Sequence, residues 1–296
     1  MPTVINIVLP AFAAILIGYL FGRFRRININ SIVEVTINIG VPALVFVSLI
    51  KHDIVLVDAV KICAASLIIM LGCLVIAWIV FKLLKQRHSG LYLPISAMNS
   101  VNLPFPIVSL AYGASGMVAV PLFYFPNILF IFSFGTYLMA KKSWQHNVRE
   151  VIKQPALYSS LLGITVNLFD IGIPGLLVDA VDFIALMAIP LMLFTLGYNL
   201  SKSRVTTLST TLLSSFMRMG VGLGMGFLVV QVLDITGVFR AVVLLESVMP
   251  AAVLSSILAT KYDNETELVS SVVFVTTLAS LIVIPLMLQL LDLRGF

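Results

Sequence analysis

The sequence predicts an all-α polytopic membrane protein: ten transmembrane helices in two inverted five-helix repeats, with the fourth and ninth helices broken where they cross. Three observations carry this expectation. Sixty per cent of the 296 residues are apolar and only ten per cent are charged, against about 25% charged in soluble domains. The charges gather in short clusters between apolar runs of roughly the 17–25 residues that cross a bilayer. Prolines recur at matching places in the two halves of the chain.

The spans fall at about 3–22, 32–50, 57–81, 91–112, 117–140, 155–169, 175–200, 206–233, 239–260 and 267–291. The first run starts at once and ends in arginines rather than a small-residue cleavage site, so no cleavable signal is expected. Basic residues decide the orientation. Arg23, Arg25 and Arg26 follow the first span, and Lys82, Lys85 and Arg87 the third. Lys141, Lys142, Arg149 and Lys153 follow the fifth, Lys202 and Arg204 the seventh, and Lys261 the ninth. Thirteen of the eighteen basic residues thus share one face, which is predicted to be cytoplasmic. Lys51, Lys61, Arg240 and Arg294 fall on the other face, and Arg218 inside the membrane. Both termini then lie outside the cytoplasm, which requires an even number of spans.

The longest basic connection bisects the chain. Residues 1–140 form the first repeat, 141–154 a cytoplasmic connection and 155–296 the second repeat. LPAF at Pro10 matches QPAL at Pro155, and VPALVFVSL at Pro42 matches IPLMLFTLG at Pro190. Pro104 and Pro106 match Pro250 in ESVMPAAV; the offsets are 145, 148 and 144–146 residues. Each half holds an odd number of spans, so the halves insert upside down relative to each other. Inverted repeats with interrupted helices at matching positions point to a secondary transporter.

The fourth span carries the densest signal, MNSVNLPFPIVSLAYG from Met98 to Gly113. Proline removes an N–H and frees a carbonyl one turn earlier. In lipid such groups survive only where protein or a water-filled cavity surrounds them. The fourth and ninth spans are therefore expected inside the bundle, with half-helix ends converging near Pro104, Pro106 and Pro250. Helix N-termini there suit an anion, and Asn99 and Asn102 add donors and acceptors. The plainer alternative is a proline kink with asparagines bonding neighbouring helices. Asn127 in FPNILF is mid-span and is a further candidate for the same cavity.

Two ionisable residues lie within spans, where such groups are functional candidates. Glu246 stands six residues after Arg240, about 9 Å deep at 1.5 Å per residue, and is a candidate proton carrier. Arg218, near the middle of the eighth span, is a candidate to hold a substrate carboxylate. The alternative for both is that they pair with each other, or that Glu246 reaches the outer interface. Ser31-Ile-Val-Glu34 reads as a capping box. Asp179 and Asp182 suit a helix N-terminus or water. Gly220, Gly222, Gly224 and Gly226 give small-xxx-small spacings for close helix packing. Cys63 and Cys73, in one apolar run, read as buried thiols and not a disulfide or metal pair. The net charge of +5 is dispersed over connections, so nucleic acid is not an expected partner.

At these residues the sequence resembles the auxin efflux carrier family, which includes the plant PIN exporters and many bacterial transporters. Asn99 and Pro106, seven apart, match that family's pattern, followed by Tyr112-Gly113 and Gly116. The ninth span matches most fully, MPAAVLSSILATKY, then a polar turn and TLASLIVIPLMLQLL. PALVFVSL and PLMLFTLG also fit, and Arg218 falls where related members carry arginine. Pro104 stands where many bacterial members have glycine, and Glu246 where plant members tend to have glutamine. The resemblance implies the bile-acid-symporter/PIN fold and an elevator-type mechanism. Spans 1, 2, 6 and 7 would form a dimerising scaffold, and spans 3–5 and 8–10 would carry the substrate. It also implies small organic anions as cargo, such as malate, malonate or auxin-like acids. The expected protein is not an enzyme, binds no cofactor beyond H+ or Na+ as a coupling ion, and sits in a bacterial inner (plasma) membrane.

The nearest alternative is a sodium-coupled symporter of the bile-acid-carrier type, in which Glu246 would hold Na+. An intramembrane enzyme would want paired aspartates or a Ser/His pair, and the chain carries no HExxH or GxSxG. A passive channel would show a repeated filter or charged rings.

Overall fold

A computed structural model describes residues 4–51, 54–140, 149, 151–203 and 205–293. Lys141, Lys142, Arg204 and Arg294, with His52, His146 and most of the 141–154 connection, lie outside the described residues. Among these residues the chain is helical, with no strand and one isolated antiparallel bridge between Met98 and Ala251. Helix is the state that satisfies every backbone group within one segment, which a lipid solvent requires.

The elements are α1 (Val4–Phe24), α2 (Ile29–Val35) running through a π turn (Thr36–Gly40) into α3 (Val41–Ile50), and α4 (Leu56–Leu83). The fourth span is α5 (Tyr92–Ser96) and α6 (Pro104–Met117), separated by a non-helical stretch. Then come α7 (Ala119–Phe130), a π turn (Ile131–Gly135) and α8 (Thr136–Ala140). The second half holds α9 (Pro155–Leu168), α10 (Gly175–Ala185), α11 (Ala188–Leu200) and α12 (Leu208–Phe216). A π turn (Met217–Val221) joins α12 to α13 (Gly222–Val232). The ninth span is α14 (Gly237–Ser247) and α15 (Val253–Tyr262), again interrupted, and α16 (Thr266–Leu293) is last.

Among the described residues seven helices are long and apolar enough to cross a membrane: 6–24, 29–50, 56–83, 119–139, 175–200, 208–232 and 266–291. They coincide with seven of the ten expected spans. The other three expected spans are the two interrupted ones and α9, whose 14 residues are short for a crossing. Apolar side chains such as Leu16, Phe183, Leu186 and Ile282 stand exposed on the surface, as a chain dissolved in lipid allows.

α1 packs along α11, α3 against α9 and α10, α4 against α7 and α13, and α12 against α16. The α1–α11 approach is close enough that a Cβ on Gly197 would overlap the Ile15 carbonyl oxygen, so only glycine fits. At one end of the molecule, Asn167 donates from Nδ2 to the Leu49 carbonyl at 2.7 Å and accepts the Ile54 N–H at 2.9 Å. Lys51 and Asp182 pair beside it at 2.7 Å, both partly exposed. At the other end, Glu265 accepts the Gly90 N–H at 2.8 Å and meets His88 Nδ1 at 2.6 Å, tying the α4–α5 and α15–α16 connections together.

Two expectations are corrected. Ser31 and Glu34 do not form a capping box: α2 begins at Ile29 behind Asn28, which makes no side-chain cap bond. The helix starts two residues before Ser31, so that hydroxyl is already inside it. Asp182 does not stand at a helix N-terminus: it lies in the second half of α10, where its side chain, partly exposed to water, pairs with Lys51. Cys63 and Cys73 are free thiols; Cys73 is buried, as expected, and Cys63 only partly so.

Asn167→Ala is expected to lower stability by about 1–3 kcal/mol, because two backbone groups lose their partner. Asp182→Asn should cost under about 1 kcal/mol, as exposed pairs do. Thermal unfolding in detergent checks both, and equal losses would contradict the assignment.

Candidate functional site

The two interrupted segments cross at their non-helical stretches. Asn99 N–H donates to the Pro250 carbonyl at 2.8 Å, and Ala252 N–H to the Ala97 carbonyl at 3.1 Å. Each break thus supplies the hydrogen bonds the other has lost. Pro104 and Pro106 occupy the first turn of α6, where a missing N–H costs least. That turn is consequently poor in free donors, contrary to the expectation of an open N-terminus. Phe105 and Ile107 N–H groups are taken by Val101 and Leu103 carbonyls, and the Asn102 N–H by Asn99 Oδ1 at 3.0 Å. The first turn of α15, at Val253 and Leu254, has no helical acceptor for its N–H groups.

Three further side chains hold the crossing. Asn127, on α7, donates from Nδ2 to the Met98 carbonyl at 2.7 Å and to Ser100 Oγ. Thr276, on α16, accepts the Ala251 N–H through Oγ1 at 3.1 Å. Arg218, in the π turn after α12, is fully buried. Its Nη1 donates to the Ile95 and Ser96 carbonyls at 3.1 and 2.9 Å, and its Nη2 to the Ser247 carbonyl at 2.9 Å. Those carbonyls lie at the C-terminal ends of α5 and α14, where unsatisfied C=O groups leave partial negative charge. The guanidinium therefore joins two half-helix ends and is compensated by them. Gly222 permits the approach: a Cβ there would overlap the Ser247 carbonyl oxygen and Arg218 Nη2.

Glu246, one residue before the end of α14, is fully buried, and neither carboxylate oxygen has a hydrogen-bond partner. It forms no ion pair with Arg218, whose terminal nitrogens donate to the Ile95, Ser96 and Ser247 carbonyls. The structural Arg218–Glu246 pair is therefore set aside as an alternative.

A cavity of about 90 Å³ lies against the crossing. Asn99, Asn102 and Asn127 line it together with Ser100, Tyr124, Thr195 and Asn199. Of the candidates from sequence, Pro104, Pro106, Arg218, Glu246 and Pro250 do not line it; Pro250 contributes its carbonyl to the crossing. Asn99 Nδ2 and Asn127 Oδ1 are buried without partners. A larger cavity, about 740 Å³, shares Val33, Leu196, Asn199, Val253 and Ile257 with the smaller one and continues along α2, α11, α15 and α16 past Lys202. Sequence reading missed Ser100, Thr195 and Asn199. Thr195 and Asn199 are four apart on one face of an apolar helix, a signal that was present. The π turns at 36–40, 131–135 and 217–221 all adjoin the crossing or its cavity, and nothing in the sequence marks them.

Crossed broken helices over a central cavity, inside a bundle of membrane-length helices, define a polytopic transporter. Residues 3–288 match the family described as membrane transport protein, and the chain belongs to that family, the auxin efflux carrier family of PIN-like transporters. It is 28% identical to an uncharacterised transporter of Methanothermobacter thermautotrophicus over 94% of this chain and 95% of the relative. It is 24% identical to an uncharacterised transporter of Methanocaldococcus jannaschii over 95% of this chain and 96% of the relative.

Proposed function

We propose that this chain is a secondary carrier of small carboxylates, in the class of malate, malonate or auxin-like acids, with its site at the crossing of the fourth and ninth spans. One observation carries the reading: two interrupted helices cross beside a cavity whose asparagines retain an unpaired donor and an unpaired acceptor. The ten-span inverted repeat is supported by packing that recurs when the halves are exchanged. The first span packs on the seventh as the sixth does on the second, and the third on the fifth as the eighth does on the tenth. In this reading α1–α3 and α9–α11 are the scaffold, and the remaining helices carry the substrate by an elevator-type movement. The larger cavity is lined from both groups, and Lys202, which lines it, belongs to the basic face that this reading assigns to the cytoplasm. A homodimer through the scaffold, non-cytoplasmic termini and residence in the plasma (inner) membrane belong to the same proposal.

The test is uptake into proteoliposomes of labelled malate, malonate and an indole-type acid, with a proton gradient, a sodium gradient or neither. Gradient-driven uptake by the wild type, reduced about tenfold or more in Asn99→Ala, is the expected result. A folded protein that moves none of these acids would remove the carboxylate assignment. Stimulation by sodium alone would favour the symporter reading, in which the unpartnered Glu246 carboxylate holds Na+.

A further inference from the structure

We infer that Asn199, with Thr195 one turn before it, is a stationary contact that meets the cargo only while the carrier faces the cytoplasm, so that α11 sets affinity on that side of the membrane and not on the other. The inference rests on the carrier reading above, with its fixed scaffold and moving substrate group.

Among the described residues, Asn199 is the one polar side chain that lines both cavities. It is half-buried, and its side-chain amide has no hydrogen-bond partner among those residues. Thr195 stands on the same face of α11, about 6 Å earlier along the axis, and lines the smaller cavity. Its Oγ1 donates to the Met192 carbonyl at 3.0 Å. A hydroxyl can turn from such a carbonyl, which the helix already satisfies, to a cargo oxygen.

α11 is locked to α1. A Cβ on Gly197 would overlap the Ile15 carbonyl oxygen, and one on Gly18 the Phe194 carbonyl oxygen. Backbones in such contact do not slide past each other by small steps. Beyond them, Lys202 Nζ donates to the Gly22 carbonyl at 2.5 Å and the Tyr198 hydroxyl meets the Ile27 backbone. The larger cavity also has a wall of the other kind. Val253, Ser256, Ile257 and Thr260, at helical spacing, give it one face of α15, which belongs to the substrate group.

The inverted repeat supplies no equal of Asn199 on the far side. The match of Pro42 with Pro190 lays α3 on α11 at an offset of 148 residues, which sets Thr195 against Val47 and Asn199 against Lys51. Val47 is apolar and buried, and the Lys51 ammonium is paired with Asp182. In a carrier of two inverted halves, alternation exchanges the surroundings of the halves. The cargo then leaves an amide and a hydroxyl behind and gains neither.

Transport in right-side-out and inverted membrane vesicles bearing the full chain tests this. The probe is whichever of labelled malate, malonate and an indole-type acid the wild type carries fastest. The quantity read is the half-saturating concentration on the cytoplasmic side divided by that on the external side. A misfolded fraction lowers the maximal rate and leaves this ratio alone. Asn199→Ala should raise the ratio about three- to tenfold, the effect of one lost hydrogen bond. Thr195→Val, which keeps the side chain's shape, should raise it less. Asn99→Ala alters the substrate group, so it should weaken both sides and leave the ratio at the wild-type value. An unchanged ratio in Asn199→Ala, or weakening on the external side alone, overturns the inference and leaves the carrier intact. Equal weakening on both sides does the same, since the contact then travels with the cargo. A folded wild type that carries none of the acids removes the carrier reading, and the inference with it.

Discussion

Arg218→Met should destabilise the protein by about 3–5 kcal/mol and abolish measurable transport. The substitution keeps a long buried side chain but strands the Ile95, Ser96 and Ser247 carbonyls. Each is an orphan acceptor at a helix C-terminus, and each costs about 1–3 kcal/mol when buried without a partner. No water reaches a fully buried position to replace the guanidinium. Arg218→Lys keeps the charge but offers a single ammonium in place of a planar fork, so it should recover part of the stability and little of the transport. Thermal unfolding in detergent, alongside uptake, measures both. If Arg218→Met unfolds at the wild-type temperature, the guanidinium is not what joins the two half-helices. If it stays stable but binds acids more weakly, Arg218 acts on the substrate as the sequence alone suggested.

Glu246→Gln should leave stability unchanged or raised and should uncouple transport from the proton gradient. The carboxyl is fully buried, receives no hydrogen bond and has no ion partner. It also stands at the C-terminal, electronegative end of α14. A proton or a metal ion is what can neutralise it there, and glutamine removes the need for either. Counterflow of unlabelled against labelled substrate should persist in the variant, whereas accumulation driven by a pH gradient should be lost. Accumulation at the wild-type level would assign Glu246 a packing role and move the coupling elsewhere. A sodium gradient that drives the wild type, and fails in Glu246→Gln, would make the same carboxylate a cation ligand.

These expectations draw on different depths of information. The breaks at Pro104, Pro106 and Pro250 were legible because proline acts on its own turn, wherever the rest of the chain goes. The asparagines were legible because a polar side chain in an apolar run has to be satisfied nearby. Seven spans were legible from run length alone. The misread capping box shows the limit even of local rules: Ser31 has the right spacing from Glu34, but the helix begins at Ile29. Thr195 and Asn199 could have been found from their spacing, whereas the three π turns could not.

By itself, then, the amino-acid sequence determined the solvent, the helical state, the places where helices break and the residues able to satisfy a broken backbone. Each follows from interactions within a turn or two, or from the chain's balance with lipid. Tertiary structure alone decided which groups meet. Arg218 reaches carbonyls 122 and 123 residues away in α5 and 29 away in α14, so its place as a joint between half-helices is invisible along the chain. The same holds for the amides. Asn99 is left with a free donor because its oxygen takes the nearby Asn102 N–H. Asn127 is left with a free acceptor because its nitrogen takes a carbonyl 29 residues away. Residue type supplied an asparagine in each case; only packing decided which of its two polar atoms is left without a partner.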